Sequence, residues 1–324
     1  MKAARLRDVR AWEIVDIDEP VPRAGQMLVR LEQVAVCGSD VPDYLGVHPG
    51  FPKPTGGTGH EGIGRVVSCP SGTYAEGERV LLWGFDRDHG LFQEAALTVD
   101  EGLLRLPGDA LPERVLMSQL LGAVIRPFRK IGNVIHQRVA IIGLGPTGQL
   151  FTAVLRNLGA RDIVGIDPLA WRRDMARQMG ATEVIDPGAA DPVEVVRAIT
   201  EGAMADIVVE AVGDGATYAT AVALCRRGGT VFGFGVPDKE VPDGVVDLPL
   251  LTMQRQEINL VMSVNAGANP YDDYAVALDW IEQGRIDVMP LITHTLPFAQ
   301  IQRAFELFAD RPSAERPIKV VLQY

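Results

Sequence analysis

The stretch that decides the fold is Arg138-Val139-Ala140-Ile141-Ile142-Gly143-Leu144-Gly145-Pro146-Thr147-Gly148-Gln149-Leu150. An apolar, β-rich run, Arg138–Ile142, leads straight into Gly143-x-Gly145-x-x-Gly148, and helical spacing follows over Gln149–Leu158. Each glycine has a physical task. Gly143 permits the tight turn, Gly145 lets a pyrophosphate approach the backbone, and Gly148 lets the helix pack against the strand. The helix start, with Pro146 and Thr147, presents free N–H groups and a partial positive charge to phosphates. A second strand, Asp162–Ile166, leads to Asp167, 19 residues after Gly148. An acid there can accept both ribose hydroxyls and repels a 2′-phosphate, so NAD is expected over NADP. Arg172 and Arg173 pull the other way, since a nearby arginine accommodates a 2′-phosphate.

Working outward, strand and helix patterns continue to alternate. Trp171–Met179 is helical, and Glu183–Ile185, Ile207–Glu210 and Thr230–Phe234 are further strands. Such alternation predicts βαβ units and a parallel sheet covered on both faces. Upstream, Glu113–Arg129 has the spacing of one helix. Before it, from Met1 to about Leu106, short extended segments such as Val29–Val34 and Gly64–Val67 alternate with Pro- and Gly-rich turns, the texture of a compact β domain. After about Ala266, Tyr271–Gln283 and Phe298–Phe308 look helical and Ile318–Leu322 looks like a strand. The expected division is 1–120, 121–268 and 269–324.

Composition bounds the function. The 324 residues are 47% apolar and 23% charged, which is globular rather than disordered. The net charge of −11 offers no basic face for nucleic acid. The apolar stretch Val139–Leu155 is broken by Gly143, Gly145, Pro146 and Gly148, so no membrane span is expected. Three scattered cysteines (Cys37, Cys69, Cys225) make no disulfide framework, and with no apolar leader at Met1–Asp8 they suggest reduced thiols in a cytoplasmic protein.

The β region carries Cys37-Gly38-Ser39-Asp40 and Gly59-His60-Glu61. Thiolate and imidazole are good zinc ligands. Glu61 can ligate or support from behind, and Asp40 can receive an N–H from a ligand and fix its orientation. A buried thiol beside a structural histidine is the plainer explanation of such a pair taken alone.

These segments, with Gly77-Glu78-Arg79-Val80, the Gly143–Gly148 fingerprint with Asp167, and Gly284-Arg285-Ile286-Asp287 followed by Pro290-Leu291-Ile292, together resemble the zinc-containing alcohol and polyol dehydrogenases of the medium-chain dehydrogenase/reductase superfamily. The resemblance runs over nearly the whole chain. It implies an α/β protein in which a GroES-like β domain, completed by the C-terminal segment 269–324, is joined to a Rossmann doubly wound parallel sheet. It implies one catalytic Zn²⁺ on Cys37, His60 and Glu61, which acidifies an alcohol, and Ser39 as the acceptor of the alcohol proton. The hydride goes to the nicotinamide of NAD, flanked by Val212 and Gly213 and by Phe234-Gly235-Val236. The substrate implied is a small alcohol or ketone, the secondary hydroxyl of a polyol, sugar or cyclitol. A homodimer or homotetramer is implied as well, paired through a sixth strand at Asn259–Val264.

Three departures from the family pattern stand out. No cysteine lies between Val80 and Glu94, so no structural zinc is expected. The family's third position near the metal holds Gln119, a poor zinc ligand, which either hydrogen-bonds substrate or a metal-bound water or sits on a helix surface. The relay position five residues after the cysteine is Pro42, leaving His48, Asp43 or solvent to carry the proton. Trp83, Asp86 and His89 are candidates for the substrate cleft, with a solvated turn as the plain alternative; His136 and His294 lack a partner motif. Two other functions compete: a zinc-free quinone or enoyl reductase of the same superfamily, and a non-catalytic nucleotide-binding protein on this scaffold.

Overall fold

The computed structural model describes residues 1–83, 90–237, 245–263, 270–310 and 314–324. The chain divides into two compact units: residues 1–120, 274–282 and 287–324 in the first, and 121–273 with 283–286 in the second.

The first unit begins with a hairpin, β1 (Lys2–Asp8) and β2 (Ala11–Asp16). It continues through β3 (Gln26–Ala35), β4 (Gly62–Ser68), β5 (Arg79–Leu82) and β6 (Ala95–Val99). In β3 seven of the ten residues are buried, because apolar side chains on both faces meet cover. Met27, Val29, Leu31 and Val34 from this strand join Phe92, Phe305 and Leu322 in one core.

The second unit is the βαβ array. Its strands are β7 (Arg138–Ile142), β8 (Asp162–Ile166), β9 (Glu183–Ile185), β10 (Ala205–Glu210), β11 (Cys225–Gly233) and β12 (Asn259–Met262). They form a six-stranded sheet in the order β12-β11-β10-β7-β8-β9, and every registered pair is parallel. The order reverses between β7 and β10, and ligands of open α/β sheets bind at the carboxyl ends of strands at such a reversal. Ala140, Ile142, Val164, Val208 and Val231 pack together under the helices.

The chain then returns to the first unit with β13 (Ile292–Pro297) and β14 (Lys319–Gln323). Here the sheet order is β13-β14-β3-β4-β5, with β6 also on β3. Strand β14 is thus central, parallel to β13 and antiparallel to β3.

Two elements differ from the sequence expectation. The single helix over 113–129 is three short ones, Pro112–Leu116, Ser118–Ile125 and Phe128–Ile131. Pro127 lacks an N–H and cannot continue the middle helix, so it caps the last. Strand β11 starts at Cys225 rather than Thr230, and Phe234 lies just beyond its end. Gly228 and Gly229 hide its first half from propensity, and the register against β10 shifts at that point. Asp86 and His89 lie outside the described residues, as does Val264 of the proposed sixth strand.

Candidate metal centre and dinucleotide cradle

The metal centre follows from strand register. In the antiparallel β3–β4 pair Val34 stands opposite Gly62, and the Ala35 N–H donates to the Glu61 carbonyl at 2.8 Å. Continuing the two chains past their strand ends brings Cys37 and the residues His60–Glu61 together. A ligand atom from each of Cys37, His60 and Glu61 lies within 4.8 Å of the other two. On the other side of β3, Val321 pairs with Ala35, and the Val36 N–H donates to the Val320 carbonyl at 3.0 Å. The same register places Lys319 across from Cys37.

Hydrogen bonds orient the ligand set. The Cys37 N–H donates to Asp40 Oδ2 at 2.8 Å, holding the short 3₁₀ turn Gly38–Asp40. His60 Nδ1 lies 2.9 Å from the Thr58 carbonyl and 3.4 Å from Asp40 Oδ1. A carbonyl oxygen only accepts, so Nδ1 carries a proton, and Nε2 is the nitrogen that would give its lone pair to a metal. Nε2 is 3.4 Å from Ser39 Oγ, which sets the proposed relay serine at the same spot. Burial disfavours an imidazolium here, but Asp40 and Cys37 outweigh it and hold the His60 pKa well above its usual value. Burial likewise opposes ionisation of Asp40, and His60 overcomes it and lowers that pKa.

Glu61 is 1% exposed. Its Oε2 pairs with Lys319 Nζ at 2.7 Å, while Oε1 is buried with no hydrogen-bond partner. Lys319 Nζ also donates to the Val36 carbonyl at 3.0 Å. A buried, unpartnered carboxylate oxygen beside a thiol and an imidazole nitrogen is the donor set a zinc ion takes, so these residues fit the metal. The sequence held no cue to Lys319, which lies 258 positions from Glu61 in a strand-like run.

Gln119 is buried, not on a helix surface. Its amide Nε2 donates to the Tyr274 hydroxyl at 3.3 Å, and Oε1 is buried without a partner. Trp83 packs on Tyr274 with ring centroids 5.0 Å apart. Asp43, a candidate for the far end of the relay, pairs with Lys53 at 2.7 Å and with His48 at 3.5 Å.

In the second unit, β7 ends into Gly143, whose φ of +88° is open only to glycine among common residues. A Cβ on Gly148 would fall 1.9 Å from the Gly143 carbonyl oxygen, so the third glycine is imposed by close packing. A Cβ on Gly145 would have no neighbour nearer than Arg172 Nη1 at 3.9 Å, which leaves the open surface a pyrophosphate needs. The helix Pro146–Asn157 starts there with Pro146 at its first position and Thr147 next, while Gly145 is its cap.

Asp167 follows β8 and is 3% exposed. Its Oδ2 accepts the Leu144 N–H at 2.9 Å and its Oδ1 the Leu169 N–H at 2.8 Å, with Arg172 Nη1 3.4 Å from Oδ2. It therefore ties the glycine turn to the second strand, using three of the roughly four lone-pair sites of a carboxylate. Arg172 is buried with Nε and Nη2 unpartnered, and burial lowers its pKa against the pull of Asp167. Buried donors without acceptors next to an open glycine backbone fit an anionic dinucleotide. Past β10, Val212 packs so close that a Cβ on Gly143 would touch its Cγ2 at 2.6 Å.

Comparison with known proteins places both parts of the chain in described families. Residues 23–108 match the family described as alcohol dehydrogenase GroES-like domain, and residues 146–283 match zinc-binding dehydrogenase. The chain belongs to the zinc-type medium-chain dehydrogenase/reductase superfamily. A curated relative, L-threonine 3-dehydrogenase of Caldanaerobacter subterraneus subsp. tengcongensis, is 28% identical over 90% of this chain and 91% of its own. The solved zinc dependent alcohol dehydrogenase 2 from Streptococcus pneumonia is 25% identical, with a TM-score of 0.86 over 100% of this chain and 98% of that one. An alcohol dehydrogenase from Thermus sp. ATN1 shares the fold, with a TM-score of 0.87 at 24% identity over 100% of this chain and 99% of that one.

As a zinc-type medium-chain dehydrogenase, the protein is an oxidoreductase that works on the CH–OH group of a small alcohol, or on the matching ketone, with zinc and a nicotinamide cofactor. The fold is the α/β combination of GroES-like domain and Rossmann sheet. No described helix is long and apolar enough to cross a membrane.

Proposed function

We propose that this dehydrogenase is NAD-linked and oxidises a secondary hydroxyl of a polyol, sugar, cyclitol or similar metabolite, with one zinc per chain and no structural zinc. The observation that carries the proposal is the convergence of Cys37, His60 and Glu61 through the β3–β4 register. Zinc bound there acts as a Lewis acid that lowers the pKa of an alcohol hydroxyl. Ser39 Oγ takes the hydroxyl proton, a role open to a group that both donates and accepts. Gln119 binds the substrate through the free Oε1 of its buried amide. A secondary alcohol is supported by the relative named L-threonine 3-dehydrogenase, since the 3-hydroxyl of threonine is secondary.

In the second unit, the turn Gly143–Gly148 and Arg172 hold the pyrophosphate side of NAD, and Asp167 takes the adenosine ribose. Val212, Gly213, Phe234, Gly235 and Val236 line the nicotinamide side, at the carboxyl ends of β10 and β11. The 1–120, 121–268 and 269–324 segments then serve as catalytic domain, dinucleotide-binding domain and returning piece. Oligomer formation through β12 is supported by its position at the sheet edge and by exposed Leu260 and Met262. A cytoplasmic setting suits three unpaired thiols.

The test is metal analysis with an alcohol panel in NAD and NADP. About one zinc per chain and turnover of secondary polyols with NAD is the expected result. Clear preference for NADP defeats the role given to Asp167. Full activity of protein stripped of zinc points instead to a zinc-free reductase. Sizing in solution checks the oligomer, and a strict monomer at high concentration removes it.

A further inference from the structure

Glu210 ends β10 and is 0% exposed. A carboxyl group in that position needs donors to replace water, and it takes them from the loop that follows. Oε1 accepts the Val212 N–H at 2.9 Å, the Gly213 N–H at 2.9 Å and the Thr217 hydroxyl at 2.8 Å. The Gly213 N–H also reaches Oε2 at 3.1 Å. The backbone carbonyl of the same residue accepts Phe234 N–H at 2.9 Å and Gly235 N–H at 3.0 Å. Glu210 therefore holds the loop after β10 with its side chain and the loop after β11 with its main chain.

The two loops are pressed together around it. A Cβ on Gly213 would fall 2.3 Å from the Val236 carbonyl oxygen. One on Gly235 would fall 2.1 Å from the Gly213 nitrogen and 2.6 Å from Glu210 Oε2. Tyr218 closes the far side by donating to the Gly235 carbonyl at 3.2 Å. We propose that Glu210 is a positioning residue for the nicotinamide half of the cofactor: it locks Val212–Gly213 against Phe234–Val236 in the shape that receives the ring. This rests on the placement of nicotinamide at those loops proposed above. Glutamine has the same size but only one accepting oxygen, so an –NH₂ in place of Oε1 or Oε2 faces N–H donors and one loop is released.

The full-length chain with Glu210→Gln tests this by titration with NADH and, separately, with ADP-ribose, which lacks the nicotinamide. NADH is expected to bind about tenfold more weakly while ADP-ribose binds as to the unsubstituted chain. Faster amide hydrogen exchange at Val212 and Gly213 should accompany the loss. Unchanged NADH affinity, or equal losses for both ligands, overturns the proposal. Should Glu210→Gln not fold, Thr217→Val removes one donor and keeps the carboxyl. The same one-sided loss is then expected at about threefold, and its absence is equally decisive. Failure of the unsubstituted chain to bind either ligand would instead sink the cofactor reading itself, and this inference with it.

Discussion

Lys319 Nζ stands 2.7 Å from Glu61 Oε2, with side-chain exposures of 1% and 2%. A buried ion pair is a weak source of net stability, but a broken one leaves an uncompensated charge. Lys319→Met should therefore lower stability by about 3–5 kcal/mol, measured by urea unfolding. The double variant Lys319→Met with Glu61→Gln should recover part of that loss. A single variant within about 1 kcal/mol of the parent would show that Glu61 finds other compensation.

Substitution within the ligand set should separate metal binding from folding. Cys37 is only partly buried, so Cys37→Ala removes the proposed zinc ligand without opening a core cavity. Zinc content should drop well below stoichiometry and kcat/KM on the best alcohol should fall by about 100-fold or more. Elemental analysis alongside thermal melting reads both. Full zinc occupancy in the variant would move the metal elsewhere.

The first helix turn of the dinucleotide cradle offers a contrast between two glycines. Gly148→Ala sets a Cβ against the Gly143 carbonyl and should cost about 2 kcal/mol or more of stability. Gly145→Ala meets open space, so it should melt within about 1 kcal/mol of the parent yet bind NAD at least about tenfold more weakly. Equal behaviour of the pair in both assays contradicts the assignment.

Acid stability should depend on Asp206. Burial pushes its carboxyl pKa up, but the Arg138 N–H and the Arg226 guanidinium outweigh this and lower it. These contacts measure 2.8 and 2.5 Å. A depressed folded-state pKa means the stabilisation is present above the unfolded value near 3.9 and is lost as pH falls through the folded one. Asp206→Asn should melt below the parent at neutral pH, and the gap should close as pH falls below the unfolded value and through the lowered folded one. A gap independent of pH would assign the effect to packing.

Much of this was legible because it depends on neighbours in sequence. Gly143–Gly148 with a strand before and a helix after is local chemistry, and so is the Cys37–Asp40 turn. What stayed hidden depends on pairing at a distance. Lys319 reads as one polar residue within an apolar strand; its burial follows from β14 taking an inner place in a sheet, which no local pattern states. Gln119 had two open readings, since helical spacing alone cannot say that Tyr274 covers it. The reading of 113–129 as one helix followed apolar periodicity and underweighted Pro127, whose missing N–H decides the break. Glu210 was included in a strand without a role, because its donors come from a loop whose shape is set by contacts with Gly235.

The central place of β14 also orders events in time. On a chain emerging from the ribosome amino end first, the entire Rossmann sheet is available before Lys319 appears. Glu61 is synthesised early yet waits for a strand made after that sheet to bring the lysine that neutralises it. The buried pair is thus completed only after the intervening domain has been made, and until then Glu61 relies on water rather than on its own protein for compensation.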